Sequence, residues 1–232
     1  MKKLFGLFTI YDIVLLGASV VAIVLSFTLS PSRDYLTLTS SVIGVTALMF
    51  IVKGHVAGQI LTIAFAVVYG TVSYFFAYYG EMITYLGMSA PAAVMATVSW
   101  LRHPHKKRTQ VEVANLTKQK IVMLVLIAAI VTTAFYFILR ALGNANLIVS
   151  TVSVTTSCVA ASLTFLRSPL YGLAYAANDI VLIVLWILAT IKDIAYLPMI
   201  ICFSAFLILD FYGFINWTVM RKKQQADNAE TQ

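Results

Sequence analysis

The chain has 232 residues, of which 61% are apolar and only 11% charged, and its mean hydropathy is +0.92. A soluble domain carries roughly 45–50% apolar and about 25% charged residues, so a water-soluble globule is excluded. The net charge of +7 sits in short clusters between apolar runs, which fits membrane orientation rather than a nucleic-acid surface, and nucleic acid is not expected as a partner.

Apolar runs of spanning length occur at 10–29, 36–52, 58–79, 82–101, 121–141, 146–166, 169–190 and 194–218. Lipid offers backbone groups no partner, so each run is read as a helix, and the chain as an all-α polytopic membrane protein of about eight spans. The first run follows Lys2 and Lys3 as a signal peptide would. Its length, and the lack of a small-x-small cleavage site before Pro31, predict a retained helix. The second, with Ser40, Ser41, Gly44 and Thr46, has the small residues of a close-packed helix, as does the sixth, with Ser150, Ser153, Ser157 and Thr164.

Gln59, Thr62, Ala66, Tyr69 and Ser73 share one face of the third span. The fourth ends in Trp100 and opens into the basic loop Arg102 to Lys120, read as a topology signal in contact with anionic lipid. The seventh holds Asp179 at mid-membrane, an acid that must face the bundle interior. Beside it Tyr171, Tyr175, Asn178, Leu182 and Trp186 form a stripe of rings broken by an amide, suited to a flat, polar, partly aromatic ligand. In the eighth, Asp210, Gly213 and Trp217 lie on one face and Tyr212 and Asn216 on another. Asp210 is read as a packing or gating residue, and Trp100 and Trp217 as interfacial anchors.

With the N-terminus in the cytoplasm, inside segments hold Lys2, Lys3, Lys53, Arg102, Lys106, Lys107, Arg108, Lys118, Lys120, Arg167, Arg221, Lys222 and Lys223, whereas outside segments hold Arg33, Arg140 and Lys192. This asymmetry predicts a multi-pass protein of the plasma membrane with both termini cytoplasmic. Cys158 and Cys202 lie within spans and read as packing residues. His55, His103 and His105 stand in connectors without carboxylates at ligand spacing, and no nucleotide, metalloprotease or nucleophile motif occurs. No cofactor, metal or enzymatic activity is expected.

A shift of 111 residues lays Tyr85-Leu86-x-Met88 on Tyr196-Leu197-x-Met199 and spans 2 to 4 on spans 6 to 8. Two three-helix units separated by one helix keep the same orientation, a transporter arrangement with substrate at the interface of the halves. The expected division is an additional helix at 1–35, a first bundle at 36–101, a basic loop at 102–120, a linker helix at 121–145, a second bundle at 146–220 and a tail at 221–232.

Tyr79-Gly80-Glu81-Met82, then Pro91 and Trp100, together with Asn178-Asp179-Ile180, Leu185-Trp186 and Tyr212-Gly213-x-x-Asn216-Trp217, resemble the PnuC family of nicotinamide riboside transporters. The resemblance runs from about residue 36 to 223. It implies a SWEET-like core of two parallel three-helix bundles, a homotrimer, and facilitated diffusion by alternating access, drawn inward by a separate riboside kinase. The family's Trp, Trp, Asn pattern falls here on Tyr171, Ala174 and Asn178, with Tyr175 beside it in place of the second ring. The substrate-binding residues expected are Gln59, Tyr69, Tyr171, Tyr175, Asn178, Asp179, Trp186 and Asn216. The alternatives are another vitamin, thiamine or riboflavin, and a substrate-binding subunit of a larger transporter.

Overall fold

The computed structural model describes residues 7–31, 34–75, 79–105, 110–144 and 146–229. Eight helices fill them: α1 Ile10–Leu29, α2 Tyr35–Val52, α3 Ala57–Phe75, α4 Tyr79–Arg102, α5 Lys118–Ala141, α6 Leu147–Phe165, α7 Tyr171–Thr190 and α8 Leu197–Ala229. Each is long and apolar enough to cross a membrane, and the protein is an all-α, multi-pass membrane protein. Among the described residues there is no sheet, only isolated bridges between His55 and Gln110 and between Pro104 and Val111.

Helix starts are set by local chemistry. The Thr9 hydroxyl accepts from the Asp12 amide and the Asp12 carboxylate takes the Thr9 amide, a capping box that opens α1. Asp34 caps α2 and Thr117 caps α5 in the ordinary way. At the head of α3, His55 Nδ1 accepts from the Ala57 amide at 3.1 Å. Burial lowers the His55 pKa from its usual value, which keeps the ring neutral and able to accept.

Helix α4 is not regular. It passes through a π turn at Tyr85–Ser89 before resuming at Ala90. Pro91 has no amide hydrogen to give to the preceding turn, and the widened turn absorbs the mismatch.

Six helices close a ring. α2 packs on α3, α3 on α4, α4 on α6, α6 on α7, α7 on α8, and α8 returns to α2. α1 lies outside against α2 and α8, and α5 lies outside against α6. α5 buries little more than Ala128 and Leu139, so most of its apolar surface is exposed. The α7–α8 crossing needs glycines: a Cβ on Gly172 would lie 2.5 Å from the Asp210 backbone oxygen, and one on Gly213 2.5 Å from the Tyr171 hydroxyl.

One bonding pattern occurs twice. Trp100 of α4 donates its indole N–H to the Thr164 carbonyl of α6 at 3.0 Å, and Trp217 of α8 donates to the Ile51 carbonyl of α2 at 2.8 Å. Beside them Ser99 donates to the Phe165 carbonyl and Asn216 to the Val52 carbonyl. The two indoles meet with centroids 5.3 Å apart. Both are buried, at 2% and 0% exposure, which corrects their reading as interfacial anchors: each spends its N–H on a helix end of the other triplet.

The loop after α4 is also more than a lipid contact. Val111 donates to the Gly54 carbonyl, Ala114 to the Arg167 carbonyl, and Val113 to the Gln224 side chain, whose amide returns a bond to Val111. Residues 110–114 therefore strap the α2–α3 turn, the α6–α7 turn and α8 together. Lys2, Lys3, Arg33, Lys106, Lys107 and Arg108, counted in the charge asymmetry, lie outside the described residues. Of the remaining basic residues, Arg140 and Lys192 lie at one end of the bundle and the rest at the other, hereafter the basic end.

Candidate substrate site

The ring encloses a cavity of about 60 Å³. Its walls are Gly44, Leu48 and Ile51 of α2, Gln59, Thr62 and Phe65 of α3, Tyr85 and Ser89 of α4, Ser157 of α6, Tyr175, Asn178 and Asp179 of α7, and Phe203, Phe206 and Asp210 of α8. That space holds a few waters, and pockets for organic ligands are several-fold larger. A ligand of nucleoside size enters only if the ring helices part.

Asn178 is held from behind. Its side-chain oxygen accepts from Thr156 Oγ1 at 2.8 Å and Ser157 Oγ at 2.9 Å, both on α6. With its acceptor used, the amide has only donors left for a ligand. Ser157 thus differs from Ser40, Ser41 and Thr164, which bond back to their own helix carbonyls. Across the cavity the Gln59 amide nitrogen is buried without a partner.

The second polar feature is a pair of acids. Asp179 and Asp210 are both 2% exposed and within hydrogen-bonding reach of each other. A carboxyl–carboxyl hydrogen bond requires at least one proton, so the pair carries at most a single negative charge. Neither takes a hydrogen bond from any other side chain among the described residues, and none of the described lysines or arginines lines the cavity.

Four of the eight expected residues meet in this cavity: Gln59, Tyr175, Asn178 and Asp179. Tyr69, Tyr171 and Trp186 are buried on the expected faces but stand away from its wall. Tyr69 stacks near Phe65 and Tyr85, with centroids 5.4 and 4.3 Å away. Tyr171 packs on Trp217 at 4.8 Å, and Trp186 on Tyr196 at 5.7 Å. The ring of α7 that reaches the cavity is Tyr175, one turn above Tyr171. Asn216 is placed elsewhere: its amide is spent on Val52, and it borders a separate polar crevice of about 540 Å³ at the basic end with Lys53, His105 and Gln110.

Tyr85, Ser89, Phe203, Phe206 and Asp210 were not among the expected site residues. Pro91 was a usable signal for the first two, since a proline inside a span marks a local opening of the helix. Phe203 and Phe206 carried none, being two of 14 phenylalanines.

Comparison with known proteins agrees with this architecture. The family model for nicotinamide mononucleotide transporters matches residues 34–219. The nicotinamide riboside transporter PnuC of Neisseria mucosa is 28% identical over 97% of this chain and 87% of its own length. That of Haemophilus influenzae is 23% identical over 92% of both. A crystal structure of the vitamin B3 transporter PnuC superposes with a TM-score of 0.83 at 27% identity, covering 96% of this chain and 97% of the other. These relatives are transporters and not enzymes. A helical ring closed around a polar cavity, matched by the family model from the start of α2 almost to the last ring contacts of α8, makes this chain a member of the nicotinamide mononucleotide transporter family.

Proposed function

We propose that this protein carries nicotinamide riboside across the membrane through the central cavity. The observation that carries the reading is the composition of the wall: amide donors on Asn178 and Gln59, the rings of Tyr85, Tyr175, Phe65 and Phe206, and a carboxyl pair with no basic residue beside it among the described residues. Nicotinamide riboside is a flat ring with one positive charge, a carboxamide and ribose hydroxyls. Asn178 and Gln59 donate to carboxamide or ribose oxygens, the rings enclose the pyridinium face, and Asp179 with Asp210 offsets its charge. The mononucleotide in the family's name adds a phosphate of opposite sign. With two acids and no cation at the wall among the described residues, the riboside is the better fit.

The division into bundles at 36–101 and 146–220, with 121–145 as linker and 1–35 as an added helix, gives transport its moving parts. The reciprocal Trp100–Thr164 and Trp217–Ile51 bonds favour two equivalent halves about an axis along the membrane normal. The halves rock about the closed cavity to alternate access. The basic end faces the cytoplasm of a cell whose plasma membrane the protein spans, with both termini inside. The exposed apolar face of α5 suits a homotrimer contact. Transport is facilitated diffusion, and net uptake follows from phosphorylation by a separate riboside kinase.

The test is uptake of labelled nicotinamide riboside into proteoliposomes. Uptake without an ion gradient is expected; a strict requirement for a proton or sodium gradient overturns facilitated diffusion, and flux only with an ATPase partner makes the protein a binding subunit. Asn178→Ala removes the amide and leaves the Ser157 hydroxyl without its partner, and is expected to weaken binding about tenfold. Unchanged affinity removes Asn178 from the site.

A further inference from the structure

Between the cavity and the end opposite the basic turns lies a second acidic position. Glu81, one turn into α4, is 3% exposed. Its carboxyl has no hydrogen-bond or ion-pair partner among the described residues, and one oxygen is fully buried. On the adjacent α3, Tyr69 and Ser73 lie four residues apart on one face, both buried, and the Ser73 hydroxyl has no hydrogen-bond partner among the described residues. The Glu81 charge reaches both Tyr69 and Tyr85, whose rings are 4.3 Å apart. Tyr85 is also within electrostatic reach of Asp179, so it stands between the outer acid and the inner pair and forms part of the cavity wall.

An unpaired carboxyl at membrane depth is costly and marks a path for a charged species. An unpaired carboxyl and an unpaired hydroxyl on adjacent helices, beside the rings of Tyr69 and Tyr85, have the makings of a cation site: an acidic group, hydroxyls and aromatic faces. From this geometry we infer that Glu81, Tyr69 and Ser73 form an outer station that receives a cationic nucleoside before it passes Tyr85 into the central cavity. The inference rests on the transport reading above and adds a second position in series. Opening the halves at this end hydrates the three groups and separates Tyr69 from Tyr85. Closing them, as seen here, seals the route with the same two rings.

The experiment is initial-rate uptake into proteoliposomes by the wild type, Glu81→Gln and Glu81→Asp, using nicotinamide riboside and its reduced, uncharged dihydropyridine form. Glu81→Gln is expected to raise KM for the cation about tenfold, to change uptake of the neutral form less than about twofold, and to leave cation affinity of the solubilised protein unchanged. Glu81→Asp keeps the charge and is expected to retain most of the low KM. Equal losses for both ligands, no change for either, or a Glu81→Asp defect as large as that of Glu81→Gln each overturns the station. If the wild type carries the neutral form too slowly to measure, the Glu81→Asp comparison decides alone. A wild type that carries neither form overturns the transport reading, and the station with it; a transporting wild type matched by Glu81→Gln overturns the station only.

Discussion

Asp12 and Asp179 are both buried aspartates on membrane helices, and they are treated in opposite ways. The Asp12 carboxylate lies 2.6 Å from Lys53 Nζ and accepts from the Tyr212 hydroxyl at 2.7 Å, the Thr9 hydroxyl at 2.7 Å and the Thr9 amide at 2.5 Å. Every demand of that charge is met, and the result ties α1 to the end of α2 and to α8. Among the described residues Asp179 has only Asp210, another acid, and no hydrogen bond from any other side chain. A fully partnered acid is a fastening; on the proposed transport reading, an acid left with a second acid is a place for a cation from outside the chain. Glu81, with no partner among the described residues, belongs with the second kind.

The sharpest way to break the comparison is to unpair the first site. Lys53→Met leaves Asp12 buried and uncompensated and is expected to cost about 3–5 kcal/mol, read as denaturation in detergent. Adding Asp12→Asn recovers part of that loss, a coupling that a double-mutant cycle measures directly. At the second site the expectation reverses. Asp179→Asn relieves a cost of burial, so stability holds or rises, while riboside affinity falls by about 1.5–3 kcal/mol. A parallel fall in stability and affinity makes Asp179 a structural residue like Asp12.

Smaller changes test the frame around both sites. Trp217→Phe keeps the ring contact with Trp100 but removes the indole hydrogen bond to the Ile51 carbonyl, which keeps the Gly54 amide, and a loss of about 1 kcal/mol is expected; Trp100→Phe should match it if the two halves are equivalent. The weakest effect concerns pH. Folded His55 binds its proton less readily than the usual 6.5, so its share of stability is full above that pH and is lost as pH falls below it. His55→Asn, which keeps an acceptor near the Ala57 amide, should flatten that part of the stability profile.

Much of this was legible in the sequence because membrane spans announce themselves by charge. The eight runs and the buried faces of α3 and α7 follow from hydropathy and helical spacing, and the grouping of Gln59, Tyr175, Asn178 and Asp179 from the repeat and the family resemblance. Other features depend on which helix lies opposite. Lys53 reads as a loop lysine until Asp12, 41 positions earlier, is placed beside it. Trp100 and Trp217 have the neighbours of interfacial anchors, and only the return of each triplet onto the other buries them. Glu81 fell just outside the apolar run at 82–101, because one acid and one glycine end a hydropathy window whereas the helix itself begins at Tyr79. The Asp179–Asp210 pair, 31 positions apart, is a fact of the α7–α8 crossing at Gly172 and Gly213.

The central claim is that the cavity selects a nucleoside of positive charge through a pair of acids and an anchored amide. Equilibrium titration of the purified protein with nicotinamide riboside and with nicotinamide mononucleotide tests it most directly. The account predicts binding of the riboside, binding of the mononucleotide weaker by at least about tenfold, and loss of most riboside affinity in Asp179→Asn. Equal or tighter binding of the mononucleotide, or riboside affinity indifferent to Asp179, contradicts it.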